Sequence, residues 1–112
     1  MSSEPLRTAE LIRFGENFEL DLRAYELRRG GRSLKLEPIP MALLVLLIEH
    51  KGVLVTRDQI VERVWDQHFD GGTNVVNVYI NYLRSKIDVP GQLSLIRTVR
   101  GLGFALVPPE GK

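Results

Sequence analysis

The stretch Asn74-Val75-Val76-Asn77-Val78-Tyr79-Ile80-Asn81-Tyr82-Leu83-Arg84-Ser85-Lys86-Ile87-Asp88 decides how this chain folds. Val76, Ile80, Leu83 and Ile87 recur at the spacing that puts four apolar side chains on one side of a helix, so that side must face a core. The opposite side carries Asn74, Val78, Asn81, Tyr82 and Ser85, flanked by Asn77 and Arg84, and its first acid, Asp88, comes only at the end. An amide can donate to the N7-side acceptors of a base and accept from the exocyclic amine of adenine. Val78 suits a thymine methyl, so this face fits the reading of A·T pairs in a major groove. Asn on a helix is equally compatible with plain solvation, and the surrounding sequence has to discriminate.

Upstream, Thr56 with Gln59 three residues later has the form of a capping box, and Ile60, Val61, Val64 and Trp65 give the helix that follows an apolar stripe. Asp66-Gln67-His68-Phe69-Asp70-Gly71-Gly72 reads as a loop, with Thr73 or Asn74 able to cap the third helix. Val53-Leu54-Val55 fits one short strand. Before it, Glu37-Pro38 opens a helix that ends near Lys51-Gly52; Leu43 to Ile48 are apolar on every side, so this helix should be central and covered. From Leu11 to Leu36 the apolar period is two: Ile12 and Phe14, then Phe18, Leu20 and Leu22, then Tyr25 and Leu27, then Leu34 and Leu36. These read as short antiparallel strands, with Arg28-Arg29-Gly30-Gly31-Arg32 as a tight hairpin turn between Tyr25-Leu27 and Leu34-Leu36. Downstream, Pro90-Gly91 breaks the chain, and Leu95 to Val99 and Phe104 to Val107 flank Arg100-Gly101-Leu102-Gly103 as a terminal hairpin. The expected organisation is one α+β domain over residues 11–107 between short polar tails, 1–10 and 108–112.

Composition removes whole classes of function. The chain has 112 residues and no cysteine, and its only histidines are His50 and His68. Disulfide scaffolds, structural zinc sites and thiol chemistry are thereby excluded. Neither histidine lies near a recognisable nucleophile motif, and the Gly101-x-Gly103 pair precedes a strand-like Phe-Ala-Leu-Val rather than a helix, so it cannot cradle a phosphate in the dinucleotide-binding manner. No enzymatic activity, cofactor, metal or small-molecule ligand is expected. The longest apolar run, Met41 to Ile48, is too short to span a membrane, and the polar start has no signal-peptide core, which leads us to expect a cytoplasmic protein without membrane contact. The formal net charge of +1 is uninformative until it is divided. Asn74 to Arg100 holds Arg84, Lys86, Arg97 and Arg100 against Asp88, a local +3, while the remaining 11 basic and 13 acidic residues give −2. That polarity is the footprint of a phosphate-facing surface. A second basic cluster, Arg28, Arg29, Arg32 and Lys35, reads as a hairpin edge kept soluble by charge.

In this order of elements the chain resembles the winged helix-turn-helix output domain of OmpR/PhoB-type transcriptional regulators, over about residues 11–107. The resemblance is carried by Asn74 to Asp88 and by Ile96-Arg97-Thr98-Val99-Arg100-Gly101-Leu102-Gly103-Phe104. Leu20-Asp21, Leu36-Glu37-Pro38, Val55 to Ile60 and Val64-Trp65 support it. It implies a fold with an N-terminal four-stranded antiparallel sheet, three helices and a C-terminal hairpin wing, and a role in two-component, phosphorelay-linked transcription regulation by binding double-stranded DNA. Val55 to Trp65 would be the positioning helix, Asn74 to Ile87 the recognition helix in the major groove, and Leu95 to Val107 the wing on the minor groove. By position, the implied DNA contacts are Asn74, Asn77, Val78, Tyr79, Asn81, Tyr82 and Arg84 on the helix, with Thr98 (phosphate) and Arg100 (minor groove) in the wing. The loop residues Asp66, Gln67, His68, Phe69 and Asp70 correspond to the family's RNA polymerase contact, and a head-to-tail homodimer on direct repeats is implied as well.

Where relatives tend to carry Asp, Arg and Arg, this helix has Asn77, Asn81 and Ser85, so two cations are missing from the reading face. Losing two phosphate contacts would take about 1.8 from the slope of log affinity against log salt and shift the burden to the wing and to dimer formation. The same substitutions, with Val78 and Tyr82 exposed, also suit a second reading, a winged-helix protein-interaction module with weakened DNA binding. The phosphorylatable receiver domain that usually precedes this module does not fit in the sequence; an excised output domain, a stand-alone regulator or the N-terminal module of another architecture is expected.

Overall fold

The computed structural model describes residues 11–65 and 74–107, and these form two compact units that divide after Leu36. The expected tails at 1–10 and 108–112, the cap at Thr73 and the loop from Asp66 to Gly72 lie outside the described residues.

The first unit is an antiparallel meander of β1 (Leu11–Phe14), β2 (Phe18–Asp21), β3 (Glu26–Arg29) and β4 (Arg32–Leu34), in that spatial order. Leu20 pairs with Leu27, and Leu27 with Leu34, so alternate residues gather on one face where Phe14, Phe18, Leu20 and Leu27 are buried. On the other face Arg28 lies within 2.6 Å of Glu26, 3.4 Å of Asp21 and 3.8 Å of Glu19. Arg29 lies over the Phe18 ring at 4.9 Å and reaches Glu16 at 3.9 Å. These two arginines of the second basic cluster are thus engaged within the sheet. Gly30 and Gly31, at φ 58° and 86°, make the two-residue turn.

The strands are shorter than the alternation suggests, and Leu22, Tyr25 and Leu36 fall outside them. The cause is local. Asp21 Oδ1 accepts the Ala24 N–H at 3.0 Å, which closes a turn directly after β2, and Tyr25 follows at φ 56°, a conformation that cannot continue a strand. The Ala24 amide and then Arg28 hold the Asp21 carboxyl below its ordinary value of 3.8.

The second unit begins with α1 (Pro38–Glu49), whose first turn contains Pro38 and Pro40 where missing N–H groups cost nothing. Pro40, Met41, Leu43, Leu44, Leu46, Leu47 and Ile48 are all buried, and α1 packs against both later helices. At its end His50 Nδ1 lies 3.0 Å from Leu46 O, a helix-terminating contact. The strand expected at Val53–Val55 is instead β5, Val55–Thr56. Val53 is 57% exposed, and its N–H is committed to His50 O in the turn after α1 rather than to a strand partner. Thr56 then caps α2 (Arg57–Val64): its Oγ1 accepts from Gln59 N at 3.1 Å, and its N–H donates to Gln59 Oε1 at 2.8 Å.

The third helix, α3, runs Asn74–Ile87, and Val76, Ile80, Leu83 and Ile87 are at most 1% exposed, as the spacing predicts. β6 (Ile96–Val99) and β7 (Gly103–Leu106) form the terminal hairpin, and β7 also pairs with β5, giving the sheet order β5-β7-β6. Gly103 sits opposite Thr56 so closely that a methyl in place of its hydrogen would overlap the Val55 carbonyl oxygen and press on Thr56 Cα. The arrangement is an α+β winged helix-turn-helix: α2 and α3 are the helix pair and β6–β7 the wing.

Candidate nucleic-acid interface

With its apolar stripe buried, α3 presents Asn77, Val78, Asn81, Ser85 and Lys86 to solvent, with Tyr79, Tyr82 and Arg84 half-buried beside them. Val78 is 60% exposed, and its position among the amides leaves its methyl groups free to meet an apolar group such as a base methyl. Asn74 opens the helix; its side chain and the five polymerase-loop residues, Asp66 to Asp70, lie outside the described residues.

The wing supplies the charge. Arg97, Thr98 and Arg100 are exposed on β6 and its tip, and neither arginine side chain has a hydrogen bond or ion pair among the described residues. The tip closes by a Leu102 N–H bond to Val99 O at 2.9 Å, with Gly101 at φ 77° supplying the backbone reversal that leaves Arg100 at the apex.

Two arginines join these surfaces. Arg84 Nε and Nη2 donate to Ile96 O at 3.2 and 2.6 Å, and Nη2 also reaches Thr98 Oγ1 at 2.8 Å, so the helix grips the wing strand. Arg84, implied by resemblance as a DNA contact, therefore spends much of its hydrogen-bonding capacity inside the protein. Thr98 keeps its hydroxyl proton for an outside acceptor, since toward Arg84 it only accepts. Arg57, at the first position of α2, donates from Nη1 to Asn77 Oδ1 at 2.8 Å and lies 4.9 Å over the Phe104 ring. Its N–H donates to Leu102 O at 3.3 Å. One side chain thus touches the recognition helix and the wing from the positioning helix.

Smaller contacts complete the surface. The Tyr79 ring packs against Trp65 at 5.7 Å, which places it between α3 and the end of α2. Lys86 Nζ lies 5.4 Å from the Tyr82 ring centroid, and Ser85 Oγ bonds back to Tyr82 O at 2.6 Å. Asp88 accepts from Ser94 Oγ at 3.0 Å and from Leu95 N at 3.2 Å, so the acid that ends α3 is occupied in joining the helix to the segment that enters the wing.

Sequence reasoning missed Arg57. A signal was present: a cation at the first helical position opposes the helix dipole, an arrangement that needs a tertiary reason. Among the described residues no group of His, Cys, Asp and Glu is placed to hold a metal ion, and no helix is long and apolar enough to cross a membrane.

Residues 31–106 match the family model described as transcriptional regulatory protein, C terminal, a family of regulator domains rather than of enzymes. The chain is 40% identical to the uncharacterized transcriptional regulatory protein YkoG of Bacillus subtilis over 91 residues, 81% of this chain and 40% of that protein. It is 37% identical to the transcriptional regulatory protein CusR of Escherichia coli over 93 residues, 83% of this chain and 41% of that one. The chain spans about two fifths of the length of these relatives. Among solved structures, the DNA-binding domain of Klebsiella pneumoniae RstA in complex with the RstA box superposes with a TM-score of 0.76 at 28% identity, covering 89% of this chain and 99% of that one. Thermotoga maritima DrrB, described as an OmpR/PhoB homolog, superposes with a TM-score of 0.77 at 26% identity over 88% of this chain and 44% of its own. The sequence match, the order of elements and the wing geometry agree: the chain belongs to the OmpR/PhoB-type family of transcriptional regulatory protein C-terminal domains.

Proposed function

We propose that this chain binds double-stranded DNA sequence-specifically to regulate transcription, with α3 in the major groove and the β6–β7 wing on the minor groove. The observation that carries the reading is the continuity of one surface: the amide face of α3, free of acids, runs into exposed Thr98 and on to Arg100 at the wing tip, and Arg84 binds the two parts together. A recognition helix reads base edges with side chains that donate and accept, while cations on a neighbouring element hold phosphates and fix the register. In this reading Asn74, Asn77, Val78 and Asn81 face bases, Thr98 holds a phosphate and Arg100 enters the minor groove. Tyr79 and Tyr82 contribute their phenol edges to the backbone, and Arg84 sets the wing against the helix.

Family membership supports three further parts of the proposal: a head-to-tail dimer on direct repeats, contact of the loop from Asp66 to Asp70 with RNA polymerase, and work in the cytoplasm under a phosphorelay. Selection of binding sites from a random duplex pool tests the core of it. A directly repeated motif with two half-sites is expected. If no sequence outcompetes bulk DNA, specific reading is wrong, and a chain that then also leaves its α3 and wing amide resonances unmoved by duplex is a protein-interaction module.

A further inference from the structure

We propose that Arg57 sets specificity by making Asn77 a hydrogen-bond donor only, so that one base-pair position is read for an acceptor edge instead of for adenine. The inference rests on the DNA-reading role proposed above. Arg57 Nη1 lies 2.8 Å from Asn77 Oδ1. A guanidinium has donors and no acceptor, so the amide must turn its oxygen toward Arg57 and its nitrogen away; chemistry dictates which atom is which. Arg57 is itself held, by the Phe104 ring at 4.9 Å and by the bond from its N–H to Leu102 O, so it is a firm template for the amide.

Asn77 is exposed on the first turn of α3, the part of a recognition helix that meets base edges. An unconstrained Asn recognises adenine bidentately, donating to N7 and accepting from the N6 amine. With its oxygen turned toward Arg57 by a charge-assisted bond, Asn77 presents the groove with the two hydrogens of Nδ2. Two donors match guanine N7 and O6, or thymine O4, and have nothing to offer the amine of cytosine. The side chain of Asn81, also exposed, has no hydrogen-bond partner among the described residues and keeps both capacities. Two amides that look equivalent in sequence therefore read different edges, and Arg57, which need touch no base, makes the difference.

Binding sites selected by the wild-type chain and by Arg57→Leu, Asn77→Asp and Asn77→Ala test this. The wild type should show one position where guanine or thymine exceeds cytosine by about tenfold. Arg57→Leu should shift that position toward adenine and leave the others in place. Asn77→Asp keeps a partner for Arg57 but turns an oxygen outward, so the same position should move toward cytosine; Asn77→Ala should flatten it. The inference is overturned if Arg57→Leu weakens all sites equally with base preferences unchanged, since Arg57 is then a structural or phosphate residue. It is overturned also if the wild type selects a site but neither Asn77 variant alters any position. Should Arg57→Leu fail to fold, the Asn77→Asp result decides, because that change leaves the packing of Arg57 on Phe104 in place. A wild type that selects no site defeats the DNA-reading proposal itself and this inference with it.

Discussion

Replacing Arg84 with methionine separates two roles that the family resemblance and the geometry give to the same side chain. As a wing clamp, Arg84 satisfies the carbonyl of buried Ile96 with two donors and holds Thr98 with a third contact. Methionine keeps the length of the stem and removes every donor. A buried carbonyl left without a partner costs about 1–3 kcal/mol, and at this half-buried position water can replace part of the loss, which puts the expected destabilisation at about 1–2 kcal/mol. For a domain of this size that lowers the melting temperature by about 4–16 °C. The assay has two arms: thermal unfolding followed by circular dichroism, and affinity for a selected duplex over a series of salt concentrations. A clamp predicts the lower melting temperature, weaker binding and an unchanged salt slope, because no phosphate contact is lost. A direct phosphate ligand predicts that the slope falls by about 0.9 with little change in melting. An unchanged melting temperature together with the reduced slope would refute the clamp.

Arg100→Ala should do the reverse of the Arg84 change, lowering the salt slope by about 0.9 while the melting temperature holds, since Arg100 has no partner within the described residues. Gly103→Ala drives a methyl into the Val55 and Thr56 backbone and should destabilise by about 3 kcal/mol or more in urea unfolding, whereas Gly101→Ala, strained only by its φ of 77° with open space around it, should cost about 1–2 kcal/mol. Equal costs at the two glycines would contradict the close approach of β5 and β7. Asp21 has a folded pKa below its ordinary 3.8, so its contribution to stability is complete above that value and disappears as pH falls through the lower folded value. Acid unfolding of wild type against Asp21→Asn should therefore show its full difference above pH 3.8 and lose it as the pH falls through the lower folded value; parallel curves throughout would remove the Ala24 and Arg28 interactions from the account.

Much of the framework is legible because its causes are local. The stripe Val76, Ile80, Leu83 and Ile87 buries as its spacing dictates, the Thr56–Gln59 box starts α2, and Gly30-Gly31 turns the hairpin. Reading fails where the cause is a distant partner or a competing short-range bond. Val53 has the composition of a strand residue, yet strand pairing begins only at Val55, where β7 arrives from the far end of the chain. Leu22 and Tyr25 keep the alternation, but the Asp21 carboxylate takes the Ala24 amide and turns the chain first. In the interface, the exposed amides follow from periodicity alone. The tasks of Arg57 and Arg84 do not, because each depends on side chains brought together from separate elements: Asn77 is 20 positions from Arg57, and Ile96 is 12 from Arg84.

The clamp on the wing also bears on the exposed edge of the sheet. β6 is the outer strand of its sheet, and an unpaired outer strand is a template on which another chain can add itself. At Ile96 both backbone groups are already answered by side chains, the N–H by Ser94 Oγ at 3.2 Å and the carbonyl by Arg84. An incoming strand would have to displace a charged, forked donor to gain one ordinary amide bond, a poor exchange. Strand addition is thereby discouraged at the base of the wing, where a side chain already stands at the place that an added backbone would take.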